Sequence, residues 1–380
     1  MVRVLQVVTY MGRGGLETML MNYYRHIDRS RVQFDFLVHR PFEADYDAEI
    51  RDMGGKIYRV SRLIPWSRAY RAELRNFFHA HPDYRIVHVH QDCLSAVALQ
   101  CARDCGVPVR IAHSHNSSQT RNIKYPIKRY YMKQIPAAAT HLFACGRQAG
   151  DWMFGGSPYR VIPNAIEAPN YRYDPQMSRQ VRQELGLGDG LVVGHVGNAN
   201  PAKNHPFLLE IFAALHQKRP DARLILVGGG TERFRVQARS LGVEDAVLFA
   251  GVRKDVPRML QAMDVFVFPS LYEGLGIVLV EAQSAGLPCV VSDTIPTDAY
   301  LTDLVFLKKL SASPEEWADA ILARSNTPRT DHSAEIAAQG FDIATEAVKL
   351  QEFYLNEYEQ KCRKQPKNLR KIHNRYDPFY

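Results

Sequence analysis

Short β-branched runs alternate with helical patterns along the whole chain, and this alternation constrains the fold more than any other feature of the sequence. Buried strands are indicated at 2–8, 86–90 and 109–115 in the first half, and the second half repeats the pattern at 191–197 and 264–270. Such alternation is typical of parallel, doubly wound sheets covered by helices. We therefore predict an α/β protein.

The length of the chain predicts two domains. A chain of 380 residues is too long for one ordinary core and suits two domains of roughly 150–200 residues. A polar break rich in turn-forming residues, 165–190, separates the two sets of strands. We predict two Rossmann-like, doubly wound domains that face a cleft: an N-terminal domain at 1–168 and a C-terminal domain at 169–345. Residues 346–380 should form a helix that returns towards the N-terminal domain, followed by a basic tail.

Charge is distributed unevenly between the two halves. Residues 1–170 hold 23 Lys and Arg against 14 Asp and Glu, whereas residues 171–360 hold 18 against 25. With the basic tail included, the chain has a net charge of +8. A basic first half predicts an anionic partner there, such as a phosphate, a nucleic acid or a lipid headgroup.

Several features predict a cytoplasmic protein. No apolar run approaches the roughly 18–20 residues that span a bilayer. The first ten residues resemble a strand rather than a signal peptide. The six cysteines include no C-x-x-C pair, which is typical of reduced thiols. We expect a cytoplasmic location, peripheral on the inner face of the cell membrane if the protein docks onto a surface.

Glycine and polar residues follow several predicted strands in both halves. Ligands of doubly wound folds bind beyond the carboxyl ends of the strands, at helix N-termini. Gly14 and Gly15 follow the first strand in GRGGLET, and Lys203 follows the strand at 191–197 in GNANPAKN. We expect these segments to line one cleft between the domains.

Two glutamates, Glu273 and Glu281, bracket the segment that follows the strand at 264–270. The amides of residues 274–278 would lie at the start of a helix, where free N–H groups favour a phosphate or diphosphate. A helix cap and a solvated position would explain the glutamates without function, but the neighbours of Glu281 in IVLVEAQ look buried. Carboxylates hydrogen-bond pairs of hydroxyls well, so we interpret the two side chains as sugar-binding groups.

The E-x7-E spacing after Pro269 and Ser270, within EGLGIVLVEAQSAGLPCVVS, closely resembles glycosyltransferase family four, which has the GT-B fold. GGLET, AHSHN, VIPNAIE and VGNANPAKNH resemble further segments of that family, so the resemblance covers nearly the whole chain. It implies a retaining glycosyltransferase that uses a nucleotide sugar as substrate, without an obligatory metal or other cofactor.

The resemblance also assigns roles to residues on the donor side. It implies that Glu281 binds the ribose hydroxyls, that Glu273 binds the donor sugar and has a catalytic role, and that Lys203 pairs with the diphosphate. The other donor-side residues that it implies come from two glycine loops and a helix start: Gly14, Gly15, Gly274, Leu275, Gly276 and Ile277.

Asn198 departs from the family, which usually has an arginine at this donor-side position. Losing one charge-assisted contact to phosphate costs about 1.5–3 kcal/mol. Either another basic residue substitutes, or donor affinity is weaker, or the protein is a poorly active member. Arg253, in GVRKDVP, is the candidate substitute, although a plain surface charge explains it equally well.

Two histidines, His113 and His115, end the predicted strand at 109–115 and precede Asn116. By the resemblance, His113 is the better match to a residue near the reacting sugar, and we take it as a catalytic candidate. His115 and Asn116 are acceptor-side candidates. We expect the two histidines to point to opposite sides of the strand, so that one faces the cleft. Two more histidines, at positions 88 and 90, are interpreted as core residues.

A basic segment at 121–133 carries five Lys and Arg, no acid, and interleaved apolar residues. It predicts either a solvated helix face or a patch for anionic lipid headgroups, which the tail would assist. Nucleic acid is the rival partner of such patches, but no recognised binding module is present, and we expect none to bind.

The sequence therefore predicts a hexosyltransferase. It would move a sugar from a nucleotide donor, in the first instance a UDP-sugar, to a hydroxyl of a saccharide or polyprenyl-linked saccharide in capsule or exopolysaccharide synthesis. Two alternatives stay open: a nucleotide-sugar epimerase of the same fold, and a non-catalytic nucleotide-sugar-binding subunit, which Asn198 keeps in consideration. No metal site is predicted.

Overall fold

The computed structural model describes residues 1–119 and 123–362. Its strands are β1 (Val2–Val7), β2 (Val32–Val38), β3 (Ile57–Arg59), β4 (Ile86–Val89), β5 (Val109–Ser114), β6 (His141–Ala144), β7 (Arg160–Val161), β8 (Val192–Val196), β9 (Arg223–Val227), β10 (Val247–Gly251), β11 (Val265–Phe268), β12 (Cys289–Ser292) and β13 (Val305–Lys308). Its α-helices are α1 (Gly15–His26), α2 (Asp47–Asp52), α3 (Arg68–Ala80), α4 (Ser95–Asp104), α5 (Tyr125–Met132), α6 (Ile135–Ala138), α7 (Arg147–Phe154), α8 (Pro175–Glu184), α9 (His205–Lys218), α10 (Arg235–Ser240), α11 (Val256–Gln261), α12 (Ile277–Ser284), α13 (Pro314–Leu322), α14 (Ser333–Ile336) and α15 (Ile343–Lys361).

The first half of the chain builds one parallel sheet. In the described residues its strand order is β3-β2-β1-β4-β5-β6-β7. Val4, Leu5 and Val7 of β1 are fully buried, because helices cover both faces of the sheet. The strand order reverses between β1 and β4, and the loops that leave these strands diverge there to open a crevice.

The second half repeats the plan with six parallel strands in the order β10-β9-β8-β11-β12-β13. Its point of reversal lies between β8 and β11, so the loops after these two strands flank the second crevice. Two Rossmann-like, doubly wound sheets are therefore present, and the predicted fold class is confirmed.

The last helix, α15, belongs to the second half by sequence but packs against α1, β1 and β2 of the first. The chain returns where Ile166 and Asp342 form a parallel bridge. Asp342 then caps α15 by accepting a hydrogen bond from the Thr345 amide at 3.0 Å. Tyr354 of this helix is fully buried in the core of the N-terminal sheet.

The strand β13 and the helix α8 are among the elements that were not predicted from the sequence. The strand β13 lies at the sheet edge and is only partly buried, so its pattern in VFLK is weak. The helix α8 lies in the break at 165–190 that we read as polar and turn-rich. Its start is well specified, since Asp174 accepts hydrogen bonds from two amides of the first turn and Pro175 begins the helix.

Within the described residues, no helix combines the length and the apolar character that crossing a lipid bilayer requires.

Candidate active site

A cavity of about 680 Å³ lies between the two domains, where the loops at their two points of strand reversal face each other. The N-terminal wall comes from the start of α1 and from the loops after β4 and β5. The C-terminal wall comes from the loops after β8 and β10 and from the loop and helix that follow β11. A site of this construction is the usual ligand-binding position of doubly wound folds.

Glu281, in the first turns of α12, is buried at 6% exposure and lines the cavity. Burial raises the pKa of its carboxyl to about 7, against the opposing effects of a hydrogen bond from Tyr171 and of the nearby charge of Lys203. The sequence-based expectation that this glutamate is buried is confirmed, and its carboxyl faces space that a ligand can enter.

Glu273 and Lys203 form an ion pair in the C-terminal wall of the cavity. Lys203 Nζ lies 2.8 Å from Glu273 Oε1, and both side chains are about seven-eighths buried. The same Nζ lies 4.5 Å from the centre of the Phe268 ring, which adds a cation–π contact. This lysine is therefore held in place before any ligand arrives.

The loop between Glu273 and Glu281 brings the two domains into backbone contact. Gly276, at the start of α12, has φ +84°, a conformation that favours glycine. A Cβ on Gly274 would lie 1.9 Å from the carbonyl oxygen of His115 in the opposite domain. Glycine at 274 is thus required for the domains to approach this closely. Leu275 and Ile277 complete the cavity lining at this point.

The glycine loop before α1 meets the C-terminal domain from the other side. A Cβ on Gly15 would lie 3.5 Å from Ile277 Cγ2, and Gly14 is the N-cap residue of α1. Asn198 bridges the domains, since its Nδ2 donates to the backbone oxygen of Arg13 at 3.1 Å. The structure therefore brings the predicted N-terminal glycines and the start of α12 together.

The prediction that the two histidines after residue 112 point to opposite sides is wrong. The ring centres of His113 and His115 lie 4.1 Å apart, because residues two apart on a strand share one face. Only His115 lines the cavity, together with Asn116. His113 is fully buried behind it, so the structure does not place our histidine candidate for catalysis in the cavity wall.

Four histidines lie in or directly after β4 and β5, and they form two hydrogen-bonded pairs. His113 Nδ1 lies 3.2 Å from His88 Nε2, and His90 Nδ1 lies 2.9 Å from His115 Nε2. Burial lowers the pKa of all four imidazoles, that of His115 to about 3. His115 therefore faces the cavity as a neutral ring, which can replace one hydrogen bond by a hydrogen bond to a ligand.

Three of these histidines are also the residues most suited by position to a metal ion. Among residues 1–119 and 123–362, His88, His90 and His113 place ligand nitrogens within 4.8 Å of one another. His88 and His90 already use both ring nitrogens, on Tyr354, His113, His115 and Gln6. We therefore interpret the three as a hydrogen-bonded core cluster, as predicted for positions 88 and 90.

Two carboxyl groups of the N-terminal wall were missed by the sequence analysis. Asp92 follows β4 with φ +46° and accepts a hydrogen bond from Asn116 Nδ2 at 2.6 Å. Glu17 lies in the first turn of α1, and burial raises its pKa to about 7, with a smaller effect of the charge on Asp92. Burial also raises the pKa of Asp92. Both follow strands at the point of reversal, which was the signal available in the sequence.

Arg253 lines the cavity but is already engaged. Its guanidinium donates two hydrogen bonds to Asp255, each of 2.8 Å. Arg13 and Tyr171 also line the cavity and were not predicted. The predicted donor-side residues thus surround one space, whereas the N-terminal wall contains more ionisable groups than expected.

The chain is similar in sequence and in fold to known proteins. Residues 13–168 match the family model described as Glycosyltransferase Family 4, and residues 177–340 match the one described as Glycosyl transferases group 1. The protein of Bacillus subtilis strain 168 named "Putative glycosyltransferase EpsF" is 37% identical over 357 residues, which are 90% of this chain and 93% of that protein. The UDP-Gal:alpha-D-GlcNAc-diphosphoundecaprenol alpha-1,3-galactosyltransferase of Escherichia coli is 28% identical over 55% of this chain and 58% of its own.

Among solved structures, HepE of Anabaena in complex with UDP-glucose is similar to this chain with a TM-score of 0.78. The likeness covers 94% of this chain and 100% of that one, at 21% identity. It confirms the predicted GT-B arrangement of the two domains.

Proposed function

The chain belongs to glycosyltransferase family 4, and from that premise we propose that it transfers a sugar from a UDP-sugar to a saccharide hydroxyl with retention of configuration. We further propose that the acceptor is a lipid-linked saccharide in the synthesis of a cell-surface polysaccharide. The observation that carries the proposal is the interdomain cavity, in which Lys203, Glu273, Glu281 and the start of α12 face the same space.

The donor assignment agrees with the chemistry of the C-terminal wall. A buried carboxylate such as Glu281 accepts hydrogen bonds from the paired hydroxyls of a ribose. Lys203 and the amides that open α12 suit a diphosphate. The Escherichia coli relative is named for a UDP-galactose donor, and HepE binds UDP-glucose in its structure. These two proteins support uridine as the base.

The transfer step follows from where charge develops. The bond between the sugar carbon and the phosphate oxygen breaks, and its electron pair stays on the diphosphate. Lys203 and the α12 amides stabilise that charge, which is a task that other enzymes assign to a metal ion. The acceptor oxygen attacks the same face of the sugar, and its proton passes to the departing phosphate oxygen. We propose that no metal is obligatory.

The N-terminal wall suits a neutral acceptor. His115, Asn116, Asp92 and Glu17 offer hydrogen-bond donors and acceptors around one end of the cavity. With its pKa near 7, Glu17 is partly protonated at neutral pH and can donate as well as accept. This combination fits sugar hydroxyls, which do both.

Family membership favours transfer over the two alternatives. EpsF and the Escherichia coli relative are both named as transferases, which disfavours an epimerase and a non-catalytic subunit. Incubation with a UDP-sugar and no acceptor distinguishes an epimerase from a transferase, because only an epimerase would then produce a new epimer.

We also propose that an anionic membrane surface brings the enzyme to its acceptor. Trp66 is 66% exposed and Tyr130 is 63% exposed, and Tyr131 joins their two segments by donating a hydrogen bond to the Pro65 carbonyl at 2.9 Å. Lys128 and Arg129 of α5, with Lys124 and Lys133 at its two ends, lie on the same segment as Tyr130. Exposed aromatic and basic residues together suit the headgroup region. Arg121 and the tail from residue 363 lie outside the described residues.

Co-sedimentation with vesicles tests the membrane proposal. We expect the protein to bind phosphatidylglycerol vesicles and not to bind phosphatidylcholine vesicles. A Trp66→Ser variant should bind phosphatidylglycerol more weakly, whereas Val236→Ser, which changes an equally exposed apolar residue elsewhere, should bind as the wild type does. Equal binding by both variants would contradict the proposal.

The donor is tested by a thermal-shift screen of nucleotide sugars followed by assays with lipid-linked acceptors. A ligand that binds the folded state raises the unfolding temperature. We expect UDP-sugars to raise it for the wild type and to do so much less for Lys203→Ala and Glu281→Ala. If both variants bind UDP as the wild type does, the assignment of the site is wrong.

A further inference from the structure

The cavity contains several cations, and most of them already have an acidic partner. Lys203, Arg253 and Arg25 each form an ion pair with a carboxylate at 2.7–2.8 Å. Lys254 lies at the rim and is exposed. A diphosphate carries more than one negative charge. Cations that are already paired with carboxylates neutralise it only in part, so a further cation is needed.

Arg13 reaches the same cavity from the N-terminal domain, in the loop between β1 and α1. Its Nε is buried and lacks a hydrogen-bond partner, and in the described part of the chain its guanidinium forms no ion pair. The guanidinium carbon lies 4.8 Å from the centre of the Tyr46 ring, which supports it by a cation–π contact. A buried donor without an acceptor is costly, which points to an acceptor that arrives with the ligand.

Asn198 places the Arg13 loop against the C-terminal domain. Its Nδ2 donates to the Arg13 carbonyl at 3.1 Å, and its Oδ1 accepts from the Gly229 amide at 2.8 Å. One side chain thus ties the loop after β1 to the loops after β8 and β9. An arginine at 198 has no acceptor atom for the Gly229 amide, so this bridge requires an amide side chain or its equivalent.

We propose that Arg13 is the second diphosphate-binding cation of this enzyme and that Asn198 is the positioning residue that holds it there. The inference rests on the proposed function, since it deepens the donor assignment of the same cavity. Arginine suits the role because its planar donors can bind two phosphate oxygens at once.

The position of Arg13 on the opposite domain couples phosphate binding to domain closure. Lys203 approaches the ligand from the C-terminal wall and Arg13 from the N-terminal wall. The diphosphate therefore bridges the domains, and opening of the cavity removes one of its two cations. Closure completes the charged site, and opening weakens the hold on the product UDP.

Isothermal titration with UDP and with uridine tests the role of Arg13. We expect Arg13→Ala to weaken UDP binding about 10- to 100-fold, to leave uridine binding unchanged, and to reduce the salt dependence of UDP binding. Arg13→Lys should keep part of the affinity. The control is Arg31→Ala, which changes an exposed arginine paired with Glu352 outside the cavity lining and should bind UDP as the wild type does.

The outcomes separate this inference from the proposed function. If the wild type binds UDP and Arg13→Ala binds it equally well, the inference alone is overturned. It is also overturned if UDP and uridine weaken by the same factor, since the effect is then not on phosphate. If the wild type binds no nucleoside diphosphate, both are overturned. Unfolding temperatures of the variants, measured without ligand, establish that each one is folded.

Asn198 variants supply the second arm. Asn198→Ala should lower UDP affinity, and combining it with Arg13→Ala should add little, because both remove the same contact. Asn198→Arg in an Arg13→Ala background should recover UDP affinity by returning a cation to the C-terminal wall. Fully additive losses in the double Ala variant would overturn the positioning role.

Discussion

The two walls of the cavity differ in their electrostatics. The C-terminal wall presents ion pairs, with Lys203 against Glu273 and Arg253 against Asp255, each at 2.8 Å. Apart from Arg13 and the ion pair of Arg25, the N-terminal wall presents the neutral ring of His115 and carboxyl groups whose pKa values are raised by burial. Charged pairs can exchange partners with an anionic diphosphate, whereas uncharged groups match the hydroxyls of a sugar.

This difference runs against the net charges of the two halves. The first half of the chain is basic, and it led us to expect an anionic partner there, yet it supplies only Arg13 to the proposed diphosphate site, whereas Lys203 and the α12 amides belong to the acidic second half. A diphosphate site needs a few placed cations and amides rather than a basic domain. Net charge therefore reports on the surface of a domain and says little about its binding site.

The largest expected contrast between the two halves is in acid stability. Burial lowers the pKa of the four clustered histidines of the N-terminal core, and also that of His39. A histidine with a folded pKa below its unfolded value of about 6.5 stabilises the fold fully above that pH, and the stabilisation is lost as pH falls towards the folded value. Each contributes up to about 1.4 kcal/mol per pH unit, so several kcal/mol are at stake between pH 6.5 and pH 5.

The C-terminal core has fewer such groups, since burial lowers the pKa of His195 and, to about 4, that of His205. We expect the N-terminal domain to lose stability first on acidification. Hydrogen exchange measured between pH 7 and pH 5 resolves the two sheets separately. Earlier opening of β8 and β11 than of β4 and β5 would contradict the comparison.

The next largest effect is expected for the charged wall. Lys203→Ala removes the cation that we propose stabilises the leaving diphosphate, and it leaves Glu273 buried without its partner. We expect kcat/KM to fall by about 100- to 1,000-fold, as for the loss of one group that stabilises developing charge. Steady-state kinetics with a fixed acceptor measure it, and Lys254→Ala at the exposed rim is the control. Equal losses for the two variants would show that the effect is nonspecific.

A smaller effect is expected from the titration of Glu281. Its pKa of about 7 means that the protonated form dominates at pH 6 and the carboxylate at pH 8. If the carboxylate accepts the ribose hydroxyls, UDP affinity should rise up to about tenfold over this interval. Titration calorimetry at several pH values measures it. Glu281→Gln should bind more weakly with no such rise, and a persisting rise would assign the titration to another group.

The smallest effect is expected for the buried histidine that we first favoured for catalysis. His113→Asn should lower the unfolding temperature and change kcat less than about threefold, because this ring lies outside the cavity lining. His115→Asn should instead raise KM for the acceptor. A large fall in kcat for His113→Asn, at a temperature where the variant is folded, would return position 113 to the active site.

Most of the fold could be predicted from local sequence. The alternation of strands and helices identified both sheets, because buried parallel strands are continuous apolar runs such as VRVLQV in β1. The edge strand β13 was missed since it is half-exposed and carries little pattern. The helix α8 was missed because its polar sequence hides a start that Asp174 and Pro175 specify.

The site was predicted unevenly, and the reasons are geometric. The burial of Glu281 could be read from its apolar neighbours along one helix. The error at His113 came from a wrong application of strand alternation, since residues two apart share a face. Asp92, Glu17 and Arg13 follow strands at the point of reversal, which marks their loops in the sequence, but which side chains of these loops line the cavity depends on burial and contacts that only the folded chain creates.

The last helix has a consequence for how the chain is made. Because α15 supplies Tyr354 and Leu350 to the core around β1 and β2, the sheet that is synthesised first lacks part of its interior until α15 has been synthesised. The second sheet needs no such late contribution from α15 in the described residues and can close while synthesis continues. The N-terminal sheet therefore emerges from the ribosome first but is completed last.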